Sequence, residues 1–459
     1  MGPGMGPGMG RTRKKATKKD TKPGSKDGAA ATEDVDPTEL PKGYTPPPPP
    51  PDWLTTEDEW DFEPWEGTDK EKEKARRVDL SNYRNLVTKG EFGGDADKKL
   101  VERIIEWRLS QMTRKENREQ AYKRREEIYK DIRDSGTSRN AKRDVRKYMM
   151  QVVADKAPKL FNYHFVARLN GAILLADISE LNEVEGDGRN TPPVRCIRAM
   201  DALIHLLDDL DDKNRKQPDA VRVWGVEGLV RIGTVPDLKP ALRIQIAEAL
   251  ARQLTASTTD HEWLQWRLAS AVGMVGVAYN VDKRPFAPEV LAQVLIDTKR
   301  PWLVRAEAAQ SLGRLPLDRD VDLSLLAHEI AELAQQMGDA YLKSPEDTMW
   351  KLTFLKLYLA FKPGSDDDAA TGRGLLTQVS SKGSLAVYKK TTQEAFDLVL
   401  PIVKKVLTPP QNIEESLSKL KDWLKNNPRV ADKDKPIREA PKSSAPADPQ
   451  PSGAGATAG

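Results

Sequence analysis

From about residue 160 onward, apolar positions recur at the 3.6-residue spacing of helices rather than the alternation of half-buried strands. Four blocks align without gaps: residues 167–178 (ARLNGAILLADI), 221–232 (VRVWGVEGLVRI), 264–275 (LQWRLASAVGMV) and 304–315 (VRAEAAQSLGRL), their starts 54, 43 and 40 residues apart. The first column holds Ala167, Val221, Leu264 and Val304; the ninth Leu175, Leu229, Val272 and Leu312; the twelfth Ile178, Ile232, Val275 and Leu315. Offsets of eight and eleven residues place these columns on one helix face. The fifth and sixth columns hold small or medium residues: Gly171, Gly225, Leu268 and Ala308, then Ala172, Val226, Ala269 and Ala309. The tenth is small in three blocks, at Ala176, Gly273 and Gly313. Small side chains there let a neighbouring helix approach closely. Companion helices are predicted near 195–208, 239–254, 287–298 and 323–337. Pro218, Pro240, Pro288 and Pro301 fall at or near helix starts, where a missing N–H costs little.

An alternation of this period belongs to two-helix repeat arrays. The run Val304-Arg305 through Ala308-Ala309 to Leu312-Gly313, with Val221-Arg222 and Leu229, resembles the HEAT-repeat family, including the short variants of bacterial proteins. The resemblance covers roughly residues 160–360. It implies an all-α fold: a right-handed superhelical α–α solenoid of HEAT-like repeats. It also implies an Asp in the preceding turn that meets the Arg of column two. Asp219 suits Arg222 or a neighbouring Arg, whereas Asp260, at a similar offset, faces Gln265 and departs from the pattern. Such a pattern specifies fold and is nearly silent on chemistry.

Around the repeats the pattern changes. Residues 1–51 combine Gly/Pro/Met repeats, a Lys-rich run and the prolines Pro46 to Pro51. So few apolar groups cannot offset chain entropy, and a disordered tail with a polyproline II segment is expected. Residues 52–94 form an acidic, aromatic arm in which Trp53, Leu54, Trp60, Phe62 and Trp65 stand among carboxylates. Aromatic groups are costly to leave in water, so the arm is expected to dock, most simply on the basic stretch 114–147 of its own chain. Charged helices are predicted over 95–160, beginning at Asp95, then across 114–134 and 140–156. The repeats occupy 161–362, ending in an aromatic helix with Trp350, Leu352, Leu355 and Tyr358. Capping helices over 391–407 and 412–426 complete a segment 363–426, and residues 427–459 are expected to be a second disordered tail.

Charge refines this picture. The 459 residues carry a net charge of only +3, so bulk electrostatics does not mark a nucleic-acid binder. Residues 11–26 nonetheless hold eight Lys/Arg against one acid, residues 33–73 carry a net −11, and residues 114–147 a net +6. The two basic segments form the alternative reading, a nucleic-acid or ribonucleoprotein-associated protein, but six acids interrupt 114–134 as on a solvated helix face. One cysteine, Cys196, allows no internal disulfide, and a cytoplasmic location is expected. No apolar run reaches the ~20 residues of a membrane span, and no signal peptide is visible. The Gly-Pro-Gly-Met opening also fits a start further upstream that would carry a targeting segment.

No phosphate loop, dinucleotide fingerprint, nucleophile elbow or kinase signature is present. His164, His205, His261 and His328 lack zinc-type spacing, so neither metal nor cofactor is expected and the histidines read as structural. Asp318, Asp320 and Asp322, followed by Leu325 and Glu329, imitate a calcium loop, but Leu323 stands where the sharp turn needs Gly. Asp322 reads better as a helix N-cap. Asp208, Asp209, Asp211 and Asp212 mark an exposed turn.

The remaining candidate is a surface. Columns three, seven and eleven lie opposite the apolar columns and carry Glu227 and Arg231, then Trp266, Ser270 and Met274, then Gln310 and Arg314; Trp263 lies one turn before Trp266. Exposed Trp, Met and Arg together are the mix of binding hot spots. The expectation is a monomeric, non-enzymatic scaffold whose concave strip holds an extended segment of another protein. The competing expectation is that both Trp side chains pack against a neighbouring repeat or the chain's own arm.

Overall fold

The structure is a computed structural model that describes residues 58–135, 144–181, 194–208, 216–362, 373–408 and 412–440. The expected N-terminal tail, the basic segment 11–26, the proline run, Trp53 and Leu54 lie outside the described residues. So do Asp209, Asp211 and Asp212, and the last nineteen residues of the chain. The described chain is all-helical apart from one antiparallel pairing of two-residue strands, β1 (Glu180–Leu181) with β2 (Val194–Arg195).

The four aligned blocks are helices α5 (Phe165–Ser179), α7 (Asp219–Gly233), α9 (Glu262–Val275) and α11 (Trp302–Arg314). Their companions are α6 (Ala199–Asp208), α8 (Pro240–Ala256), α10 (Phe286–Ile296) and α12 (Leu323–Tyr341). α13 (Met349–Phe361) is the aromatic helix that closes the series. α5, α7, α9, α11 and α13 each pack on the next to form one row, and α6, α8, α10 and α12 do the same in a second. Each companion also packs across onto the block helix that follows it.

The column arithmetic explains the core. Every residue of the first, ninth and twelfth columns is buried, as are Gly171, Gly225, Leu268 and Ala308 of the fifth. The small tenth column does what its size suggests. A Cβ added at Gly273 would fall 2.8 Å from the Ser311 Cα, and one at Gly313 would fall 2.3 Å from the Ala360 carbonyl oxygen. Block helices therefore touch backbone to backbone, α9 on α11 and α11 on α13. Gly276, at φ 70°, ends α9 in the left-handed conformation that a side chain resists.

Column two supplies a buried polar seam between repeats. Arg222, 1% exposed, reaches both Asp219 at 3.1 Å and Asp260 at 2.6 Å, and donates to Gln253 at 2.7 Å. Asp260 thus serves the Arg of the preceding repeat, while Gln265 donates to the Asp260 carbonyl and accepts from Arg300 at 2.8 Å. Arg168 donates to Gln217, and Arg305 to the Leu295 carbonyl. A buried guanidinium is costly unless its N–H groups find acceptors, and each of these finds at least one.

The flanks differ more from the pattern. Residues 69–89, read as part of the acidic, aromatic arm, form helix α1 (Asp69–Lys89), begun by Glu71 accepting the Thr68 N–H at 2.8 Å and ended by Gly90 at φ 71°. Its sequence is so dense in charge that periodicity barely registers. Tyr83, Leu86 and Val87 are the few positions it buries. α2 (Asp95–Gln111), α3 (Ala121–Asp134) and α4 (Asp144–Lys156) follow, with a 3-10 turn over Lys115–Gln120 where a continuous helix is predicted from 114. The arm does dock on its own chain. Trp60 is 1% exposed and stacks on Tyr163, Lys159 lies over its ring, and Glu59 pairs with Arg114 at 2.8 Å. Trp65 meets Trp107 edge-on and donates to Asp79.

Beyond the repeats, α14 (Leu375–Ser381), too short to show a period, precedes α15 (Lys389–Leu407) and α16 (Glu414–Asn426). Order continues past residue 426, where composition predicts it to stop. Ala431 bridges Glu439, Arg429 pairs with Glu439 at 2.8 Å, and the buried Ile437 accepts the Asp322 N–H through its carbonyl. One buried isoleucine and a handful of backbone bonds anchor a segment whose composition is otherwise that of a linker.

Candidate functional site

The predicted strip lies on the row of α5, α7, α9, α11 and α13, but only part of it is open. Trp263 is 49% exposed and Met274 39%, eleven residues apart on one side of α9. Ser270 and Gln310, predicted to face outward, are buried. Each block helix has row neighbours on both sides as well as a companion beneath, so its buried arc is wider than that of a two-sided surface helix, and column seven falls inside it. Glu227, Arg231, Trp266 and Arg314 are half-buried.

These half-buried groups form a ladder of charge between successive helices. Arg231 on α7 reaches back to Asp177 on α5 at 3.3 Å and donates to the Ala176 carbonyl at 2.7 Å. Glu227 pairs with Arg267 on α9. Trp266 donates to Glu307 on α11 at 2.6 Å, and its ring lies 5.4 Å from both the Arg267 guanidinium and the Lys356 ammonium of α13. Glu307, 1% exposed, pairs with Lys356 and sits 3.5 Å from Arg314, while Lys356 also reaches Gln310 at 3.3 Å. Burial lowers the pKa of Arg267 from its ordinary value, and the nearby Glu307 carboxylate opposes that shift. Trp266 is therefore locked by a hydrogen bond and two cations, as the packing expectation has it, whereas Trp263 is not covered.

Sequence reasoning missed part of the open surface. Trp302 on α11 and Met349, Leu352 and Leu355 on α13 are exposed by 36–41%. Together with Trp263 and Met274 they make six of the fourteen exposed large hydrophobics of the described residues, all on three adjacent helices of one row. A cleft of about 230 Å³ between the starts of these helices is lined by Glu262, Trp302, Asp347 and Met349. Trp302 could have been found by its place directly after Pro301. Leu352 and Leu355 needed the register of α13, which the degenerate last block does not supply.

The other candidates are accounted for locally. The carboxylates of the calcium-like run do not converge. Asp320 accepts from Tyr279 at 2.9 Å, Asp318 accepts from the Arg319 N–H and from Ser384, and Asp322 caps α12 by accepting the Leu325 N–H at 2.9 Å. His164 and His261 accept the Ala167 and Trp263 N–H groups, as caps of α5 and α9. Cys196 is buried, donates to the Met150 carbonyl, and has its thiol pushed up to about 11 by burial. Asp208 is taken by Arg252 and Gln253. In the basic stretch, Arg114, Arg124, Arg125 and Arg133 pair with Glu59, Glu127, Glu126 and Asp134, and Arg146 is 2% exposed. Among the described residues no helix is long and apolar enough to cross a membrane. Comparison with known proteins returns no match to any family model, to any curated protein or to any solved structure.

Proposed function

We propose that this chain is a non-catalytic scaffold: a right-handed α–α solenoid of HEAT-like repeats whose block-helix row binds another protein. The observation that carries the reading is the gathering of Trp263, Met274, Trp302, Met349, Leu352 and Leu355 on α9, α11 and α13. Contiguous exposed apolar surface rimmed by charge is what monomeric proteins ordinarily avoid unless a partner covers it. Here half-buried charge beside it is supplied by Glu227, Arg267 and Arg314, and the aromatic and Met content matches the centres of protein interfaces. The row-on-row packing of alternate helices supports the solenoid reading, and the period of the blocks supports its HEAT-like type. The nucleic-acid alternative is weakened because Arg114, Arg124, Arg125 and Arg133 are spent on neighbouring acids, and phosphate binding needs its cations free.

The test is a cross-linked capture from the native cell with the full chain, alongside a W263A/L352A variant, with and without nuclease. Both side chains are exposed, so the variant should fold, which circular dichroism checks. Proteins captured by the parent chain, resistant to nuclease and lost with the variant, are the expected result. An unchanged protein set with the variant, or partners that vanish on nuclease treatment, overturns the reading.

A further inference from the structure

We propose that His328, Glu329 and Glu332 of α12 form a binding site for a divalent transition-metal ion, zinc by preference. The three residues follow one another at i, i+1 and i+4 on a single helix, and one ligand atom from each lies within 4.8 Å of the others. Their spacing puts His328 and Glu332 on the same face, with Glu329 flanking both.

Two acids beside each other would not make a site. The independent observation is the imidazole. His328 is 3% exposed, and neither of its ring nitrogens has a hydrogen bond of good geometry, the Asn427 backbone being the polar group in reach. A buried polar group without a partner is rare and costly, and a ring with both nitrogens orphaned asks for something to bind. One of those nitrogens faces the two carboxylates. The ring also packs against Trp423 of α16, 5.8 Å between centroids.

Of the carboxylates, Glu332 accepts one hydrogen bond, from Gln336 on the same helix at 3.2 Å, and neither has a counter-charge among the described residues. Arg305 commits its Nε–H to the Leu295 carbonyl, and among the described residues no cation forms an ion pair with Glu329 or Glu332. Arg429 is the other positive charge near the imidazole, and it pairs with Asp322 and Glu439. A bound dication would neutralise the two crowded carboxylates and give His328 its missing partner.

The donor set selects the metal. One imidazole nitrogen and two carboxylates, completed by water, suit zinc and its neighbours at about 2.0–2.2 Å. Calcium and magnesium prefer oxygen throughout. Donors up to 4.8 Å apart must close by rotation of the Glu side chains, of which Glu332 is half-buried.

The experiment is calorimetric titration of zinc chloride into the chelator-stripped full chain at pH 7.5, with cobalt as a spectroscopic surrogate for the coordination shell. The expected result is one zinc per chain and a rise in Tm on loading. Affinity should fall about tenfold or more in E332Q and in H328A, with loss of the Tm rise. H328A also removes packing against Trp423, so E332Q, at a partly exposed position, keeps the test clean. No saturable binding by the parent chain, or equal binding by parent and E332Q, overturns the proposal. Neither result bears on the partner-binding row, which shares no residue with this site.

Discussion

Replacing Gly313 with Ala tests the close approach of the block helices. The added Cβ would stand 2.3 Å from the Ala360 carbonyl oxygen, 3.0 Å from its carbon and 3.1 Å from its Cα, all backbone atoms that no rotamer change can move. Contact distances near ~3.5 Å require α11 and α13 to part by about 1 Å. That parting also disturbs the Gly374 N–H, which donates to the Gly313 carbonyl at 2.7 Å, and the Gln378 side chain at 3.2 Å. Overpacking costs about 1–3 kcal/mol and a weakened hydrogen bond about 1 kcal/mol. The helix preference of Ala over Gly returns about 1 kcal/mol. The expected net loss is about 2 kcal/mol. Gly171→Ala is the control: its Cβ meets the Leu160 side chain at 3.1 Å, and a side chain can give by a few tenths of an ångström. That variant should lie within about 1 kcal/mol of the parent. Urea unfolding followed by far-ultraviolet circular dichroism measures both. A G313A chain as stable as the parent, or a G171A chain equally destabilised, would refute backbone contact as the reason for the small tenth column.

Further expectations concern buried polar groups. Glu307→Gln leaves the Lys356 ammonium, 7% exposed, without its counter-charge and should cost about 3 kcal/mol, with K356M in the same chain recovering most of it; unchanged denaturation midpoints would contradict this. Burial lowers His164 to about 4 from an ordinary 6.5, so the unfolded chain takes up the proton first. Its stabilising contribution, about 3 kcal/mol, is complete above pH 6.5 and is lost as the pH falls towards 4. H164N keeps an oxygen to cap α5 and should flatten that part of the stability–pH profile relative to the parent; superimposable profiles count against it. Cys196, buried and with its thiol raised to about 11, should resist alkylation at pH 8 until the chain unfolds, and labelling in the native state would show the site opening.

Two of the six exposed positions of the candidate surface were legible. Trp263 and Met274 emerged as exposed from column spacing alone, and the four block helices match the aligned segments to within three residues at each end. The misses share a cause. Ser270 and Gln310 are polar, and a single helix offers no reason to bury them. They are enclosed because a row places neighbours on both flanks of each helix, a fact about packing that no one segment contains. Trp266 looked like a hot spot and is held by Glu307, Arg267 and Lys356, residues 41, 1 and 90 positions away. α1 escaped notice because its stability comes from three buried side chains and its end caps, not from a periodic stripe.

The sequence by itself determined the helical class, the block helices and their companions, and the columns that face the core. These depend on local periodicity and on where Pro and Gly interrupt it. Only the tertiary structure decided which polar residues are buried, where the aromatic arm docks, how far order runs past residue 426, and that His328 comes to rest unpartnered beside two carboxylates. Each of those depends on contacts between segments tens of residues apart, where burial, charge pairing and backbone approach are set by which helices meet.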